Sequence, residues 1–241
     1  MLAIIIKVSP YKEKSAIISA LGDSETISFL AKRVLDNKSP YYFLNNPFVV
    51  VDLSFSDTKN YQYKVLSEAK LIFSPLNLNF KIEDTLSLMC LNELINKLVP
   101  DSDKPALFND LYSCLQEIKK EGTNHYNTIF YFLAKVLTNQ GYSFEVNECI
   151  HCGKKKEIVS FSFLDGGYVC RDCLENGLIE TTYSIVELKF IRNIFLANKV
   201  EDINLSLTKD EYHHLIKYFS LFIKENFGCS LASFANLTKL N

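Results

Sequence analysis

Four of the chain's seven cysteines stand in two identical pairs, Cys149-x-x-Cys152 and Cys170-x-x-Cys173, with 17 residues between the pairs. A CxxC turn aims two sulfurs at one point. Two such turns facing each other supply the four thiolates that hold Zn²⁺ in a tetrahedron at about 2.3 Å. The intervening chain must therefore fold back on itself. It carries the signals to do so: Gly153 follows the first pair, Ile158 to Phe163 alternates as a strand, Asp165-Gly-Gly167 turns, and Tyr168-Val169 leads into the second pair. Residues 147–175 thus read as a zinc ribbon holding one structural ion, because a full set of four protein ligands leaves no open coordination position. Ordinary core cysteines are a poor fit to two matched pairs around a hairpin. A thioredoxin-type CxxC opens a helix in a βαβ setting, which neither pair has. Zinc deaminases require H-x-E before P-C-x-x-C; here Val169 precedes Cys170 and no H-x-E occurs. His151 reads as a surface residue, Cys90 and Cys114 as core residues within helical runs, and Cys229 has no evident partner.

The flanks differ in period. Leu2–Val8, Ser15–Leu21, Glu25–Ala31, Phe48–Ser56 and Tyr61–Ile72 read as strands, separated by turn signals such as Ser9-Pro10, Gly22-Asp-Ser24 and the polar stretch Asp57–Asn60. Five strands in this span suit a small barrel, with the OB-fold as the five-stranded candidate. From Ile82 the apolar spacing becomes helical. Helices are expected over Asp84–Leu98, ending before Pro100, and over Ala106–Ile118, Tyr126–Thr138, Ser184–Ala197 and Lys209–Phe227. Thr208 with Glu211 forms a capping box at the start of the last. The fold class is α+β: an OB-fold-like β-barrel over residues 1–78, then a helical domain over 79–241 with the four-cysteine ribbon inserted.

At 241 residues, 48% hydrophobic and 22% charged, the chain can bury a core without disulfides. Its apolar runs fall far short of the roughly 18 residues that span a bilayer. Leu2–Ile6 precedes the first positive charge, Lys7, which is not the order of a signal peptide, so a cytoplasmic protein is expected. The net charge is −2. The positive excess is confined to residues 1–80, with nine Lys/Arg against seven Asp/Glu, while residues 81–148 carry six against ten. This balance alone names no partner.

The chain resembles the RecO family of recombination mediators over nearly its full length. The resemblance rests on Glu13-Lys-Ser-Ala-Ile-Ile-Ser19, Ile27-Ser-Phe-Leu-Ala-Lys-Arg33, Asn37-Lys-Ser39 and Tyr61-Gln-Tyr-Lys-Val-Leu-Ser-Glu-Ala69. In the C-terminal half it rests on Gln140-Gly-Tyr142, Phe161-Ser-Phe163, Gly166-Gly167 and Cys170–Cys173, with the ribbon the most specific part. Two departures stand out. The glycine that the family carries after a small and a basic residue near the end of the third strand is missing from Ala31-Lys-Arg-Val34, which leaves that loop's shape open, and Phe227–Ser233 matches the family's ending only loosely. The resemblance implies a non-enzymatic role with no catalytic residues and no small-molecule substrate: binding single- and double-stranded DNA, annealing complementary strands, and loading RecA together with RecR and the C-terminal tail of the single-stranded-DNA-binding protein.

The residues add their own expectation. Lys12, Lys14, Lys32, Arg33 and Lys38 fall in loops or at strand ends of the expected barrel, where basic side chains track phosphates. Phe29, Tyr41, Tyr42 and Phe43 offer stacking faces if exposed, with core packing the favoured role for each, and Lys154–Lys156 reads equally as further phosphate contact or as a soluble loop. Two other classes compete. A zinc-ribbon nucleic-acid-binding or interaction module of the transcription or translation machinery is opposed by the long helical flanks. A metal-supported enzyme is opposed by scattered histidines, the absence of a P-loop or Rossmann glycine pattern, and a saturated metal site.

Overall fold

The computed structural model describes residues 1–56, 64–76, 81–175 and 183–239. Its first five strands are β1 (Leu2–Tyr11), β2 (Ser15–Gly22), β3 (Thr26–Ala31), β4 (Val50–Ser56) and β5 (Lys64–Phe73). They close in the order β1-β2-β3-β5-β4, with β1 antiparallel to β4 and β3 parallel to β5. This is the expected OB-type barrel. The polar stretch Asp57–Asn60 and the first residues of the expected fifth strand, 61–63, lie outside the described residues.

Alternation builds the interior. Ala16, Ile18 and Ala20 of β2 and Ile27, Phe29 and Ala31 of β3 are buried in one cluster, with Ala3, Ile5, Val51 and Leu53 from the neighbouring strands. On the outer face the paired Ser19 and Ser28 share a hydroxyl hydrogen bond of 3.1 Å. Three outward residues break the polar rule. Ile4, Leu21 and Val50 stand beside one another in register and are fully buried. The segment after residue 99 also packs on the barrel: the 104–107 turn lies against β2, Thr26 donates to the Asp101 carbonyl at 3.1 Å, and Tyr112 meets Phe73 edge-on at 5.9 Å.

Met1–Leu88 and Val99–Thr123 accordingly form one compact unit, while Met89–Leu98 joins the chain from Asn124 onward in a second. The change from strand to helix, between Phe73 and Ile82, thus does not coincide with the boundary between the compact units. The helices are α1 (Ile82–Glu93), α2 (Phe108–Ile118), α3 (His125–Asn139), the short α4 (Arg171–Glu175), α5 (Ile185–Leu196), α6 (Lys209–Phe227) and α7 (Ala232–Leu237).

Both long C-terminal helices start with capping boxes. Ser184 and Glu187 close the first turn of α5, Thr208 and Glu211 that of α6, and the Ser184 hydroxyl also donates to Glu211 at 2.7 Å. The second unit is cored by aromatics. Phe130 of α3 meets Phe190 of α5 at 5.4 Å and Phe219 of α6 at 5.7 Å. The run expected as one helix to Leu98 instead widens into a π-helical turn at Leu94–Leu98. Across that turn Lys97 bonds the Glu93 carboxylate at 2.6 Å and the Ser230 carbonyl at 3.0 Å.

Glu93 also accepts from Ser233, from its backbone N–H at 2.7 Å and its hydroxyl at 2.5 Å, and so caps α7 from a distant part of the chain. Burial pushes the Glu93 carboxyl up, but Lys97 and Ser233 outweigh it and hold it below its ordinary range. A depressed carboxyl stabilises the fold fully above its unfolded value of about 4.3 and loses that contribution as pH falls through the folded value. Glu93→Gln should therefore cost about 1 kcal/mol at pH 7, or about 2–4 °C in Tm. The gap between wild type and variant should narrow in thermal melts taken at successively lower pH; a gap that widens there would refute the assignment.

Candidate metal centre and nucleic-acid surface

Three short strands carry the cysteines: β6 (Glu145–Cys149), β7 (Ile158–Ser162) and β8 (Gly167–Cys170), in the order β6-β8-β7. β7 and β8 form the expected antiparallel hairpin, and β6 adds a parallel edge that sequence reasoning missed. The first knuckle closes because the Cys149 N–H bonds the Lys154 carbonyl at 2.9 Å and the Gly153 N–H returns to the Cys149 carbonyl at 2.8 Å. Gly153 has φ +72°, the left-handed conformation that glycine adopts freely. Gly167 is required for a different reason: a Cβ there would lie 2.6 Å from the Glu145 carbonyl oxygen, so β6 can approach only a bare backbone.

The hairpin is keyed into the helical core. Phe161 and Phe163 lie 4.9 Å apart, Phe163 meets Phe219 at 4.9 Å and Phe222 at 5.2 Å, and Phe144 contacts both hairpin rings and Phe195. The Tyr168 hydroxyl donates to the Leu188 carbonyl, and Arg192 donates to the Val146 carbonyl at 3.0 Å.

The sulfurs of Cys149, Cys152, Cys170 and Cys173 all lie within 4.8 Å of one another. Cys152 and Cys170 are 3.6 Å apart, against an edge of about 3.8 Å for a tetrahedron of sulfurs about 2.3 Å from its centre. The residues fit a four-thiolate metal site. Burial pushes the Cys149 thiol up, but the backbone N–H groups of Cys170, His151 and Cys152 outweigh it and bring it down to about 6. Cys173 is pushed up to about 12 by its hydrogen bond with Cys152 and then by burial. Four crowded thiols cannot all ionise unless a cation sits among them, which is the electrostatic signature of such a site. His151 lies outside the cluster, 3.5 Å from Asp165. Lys154 is paired with Glu157 and, at 3.1 Å, with Asp172, while Lys155 lies 3.9 Å from Glu148. Two of the three lysines after the knuckle thus already face carboxylates.

Lys12, Lys14, Lys32, Arg33 and Lys38 lie on two loops of the barrel, the β1–β2 turn and the segment after β3. The loops interlock: the Leu35 N–H bonds the Lys14 carbonyl at 3.0 Å, and the Arg33 N–H bonds the Ser15 hydroxyl at 3.3 Å. Asp36 gathers their side chains. It accepts from Lys14 at 3.1 Å, Arg33 at 3.3 Å and the Lys38 N–H at 3.1 Å. Its carboxyl is held below the usual carboxylate range by the Lys38 N–H first, then by Lys14 and Arg33. Lys32 and Lys38 are exposed on the same segment, and Lys12 lies in the β1–β2 turn with its ammonium 5.4 Å from the Tyr11 ring. The loop that lacks the family's glycine keeps a left-handed residue there, since Arg33 has φ +56°.

Of the four aromatics considered for stacking, Phe29 is wholly buried and unavailable, Tyr41 and Phe43 lean on the barrel core, and Tyr42 is exposed. Asp36 is the site residue that sequence reasoning overlooked. Its signal was the Asp-x-Lys spacing, in which an aspartate bonds the backbone N–H two residues on.

Residues 80–233 match the family model described as the C-terminal part of recombination protein O. The chain is 30% identical to the DNA repair protein RecO of Syntrophomonas wolfei over 173 residues, covering 71% of this chain and 68% of that one. It is 22% identical to the RecO of Bacillus pumilus over 92% of this chain and 89% of the relative, and 22% identical to that of Bacillus subtilis over 95% and 90%.

Cys170→Ser removes a fully buried vertex of the sulfur cluster. Elemental analysis of the purified variant should show metal well below one equivalent. Its Tm should fall by about 10 °C, the scale of losing a structural metal. Retention of both metal and melting temperature would rule out a structural role for the cluster.

Proposed function

The chain belongs to the RecO family of DNA repair proteins, and from that premise we propose that it is a non-enzymatic recombination mediator of the cytoplasm. In this reading the barrel within residues 1–78 binds single- and double-stranded DNA and brings complementary strands together. The helical domain over 79–241 works with RecR and the C-terminal tail of the single-stranded-DNA-binding protein to assist RecA loading. The observation that carries the reading is the pair of interlocked basic loops on the barrel. Lys12 and Lys14 lie on the loop between the first two strands, one of the loops with which OB-folds hold oligonucleotides. Lys32, Arg33 and Lys38 lie on the loop bonded to it. Contacts of this kind go to phosphates and carry no base identity, as annealing and loading on any sequence require.

The metal is proposed to be a single Zn²⁺ held by Cys149, Cys152, Cys170 and Cys173. When bound it supplies cross-linking of the two knuckles, with no vacant position for substrate. The chain's own part is to hold Cys149 as a thiolate through backbone N–H groups and to fix the hairpin against the helices through Phe161 and Phe163.

Binding of the purified protein to fluorescent single-stranded DNA across a salt series tests the reading, alongside a Lys32→Glu/Arg33→Glu/Lys38→Glu variant. Wild type should lose affinity steeply with salt. The variant should bind more weakly, with a log–log slope shallower by about 2, or about 0.7 for each of three phosphates no longer neutralised. Equal slopes would move the DNA-binding surface away from these loops, and absence of wild-type binding at low salt would shift the function from DNA handling to partner recruitment.

A further inference from the structure

We propose that Asp36 is a positioning residue of the DNA-binding surface: an acid that strengthens phosphate binding by holding Lys14 and Arg33 in place across the two loops. The inference rests on the DNA-binding reading above and adds to it a residue of the same charge sign as the ligand.

The geometry separates the two parts of each cation. The Asp36 side chain is 10% exposed, whereas those of Lys14 and Arg33 are 59% and 74% exposed. A lysine ammonium has three donors and a guanidinium five. Each gives Asp36 one hydrogen bond, so most of their donors still face solvent. The carboxylate itself is largely withdrawn beneath them. It is fixed by the Lys38 N–H, and Asp36 donates its own N–H to the Arg33 carbonyl at 3.1 Å, so it cannot swing out to meet an incoming phosphate without breaking the turn.

Arg33 has the most to gain from this anchor. Its backbone is left-handed without being glycine, a conformation that persists only where surrounding bonds over-determine it. Here those bonds are to Ser15, to the Asp36 N–H and to the Asp36 carboxylate. Long basic side chains forfeit rotamer freedom when they grip a ligand, and a cation already held in place forfeits less on binding. Two effects therefore oppose one another at Asp36. Its charge repels phosphate, and its bonds prepare two cations for phosphate. The repulsion is screened by salt and offset by the two cations that the carboxylate touches, so the ordering effect dominates.

The test turns on a sign. Asp36→Asn keeps an oxygen for the Lys38 N–H and adds one unit of positive charge. Charge alone predicts tighter binding to single-stranded DNA. Positioning predicts binding weaker by about three- to tenfold, with a salt slope shallower by about 0.7 because one phosphate fewer is neutralised. A second arm introduces the same substitution into a Lys14→Ala/Arg33→Ala background. With nothing left to position, Asp36→Asn should there leave affinity unchanged or raise it, so that the cycle shows coupling between the acid and its cations. Thermal melts of each variant check that the barrel is folded; Asp36→Glu, which retains the charge, should recover part of the affinity if the fold of the turn survives. Tighter or equal binding by Asp36→Asn, or the same loss in both backgrounds, overturns the inference while leaving DNA binding intact. Failure of the wild type to bind at low salt overturns both.

Discussion

Like charges cannot share a point without an opposite charge between them, and the second unit of this protein is arranged around that constraint. Four thiols converge within 4.8 Å of one another, and the backbone already favours the thiolate at Cys149. The consequence extends beyond the ribbon. Strand β7 places Phe161 in the helical core and is followed by Phe163, which packs on Phe219 and Phe222 of α6. The two knuckles and the helices thus share one core, and a metal bound by the four thiols would deliver its binding free energy, roughly 10–16 kcal/mol in finger peptides, to packing that reaches well past the four ligands.

The barrel solves a different problem with no metal. A five-stranded barrel has little interior volume, and its inward positions alternate small and large side chains, with Ala16, Ala20 and Ala31 beside Phe29. One outward strip, Ile4, Leu21 and Val50, is buried as well. The loops are left with the polar work. There, the Leu35–Lys14, Arg33–Ser15 and Lys14–Asp36 hydrogen bonds tie the β1–β2 turn to the segment after β3 and gather separate basic residues into one surface.

Features that depend on local pattern were legible in the sequence. The strand runs, the Thr208–Glu211 box, the Gly153 turn and the two CxxC pairs are each written in residues within a few positions of one another. Features that depend on partners distant in sequence were not. The π-helical turn at Leu94–Leu98 accompanies contacts to Ser230 and Ser233; α7 is capped by Glu93; β6 exists because Gly167 lets it approach; and the segment 99–123 joins the barrel through Thr26 and Phe73. Among the site residues, the cysteines were readable because metal geometry dictates spacing. The basic loops were readable only as charges, because the acid that organises them reads, in one dimension, as a reason to doubt them. Phe29 takes the core role that its place in the alternating β3 favours over stacking, because the period of the strand turns it inward.

The shared start of α5 and α6 has a consequence of its own. Each helix N-terminus carries the equivalent of about half a positive charge, and two brought together repel. Glu187 and Glu211 each face their own helix's first turn, and the Ser184 hydroxyl, the cap of one helix, reaches the carboxylate that caps the other. The two positive poles are thus stitched by two negative groups into a small alternating array. Fraying either first turn strips the other of a bond and uncovers its pole, so the two helix starts open as one cooperative unit and resist end-melting that each alone would undergo.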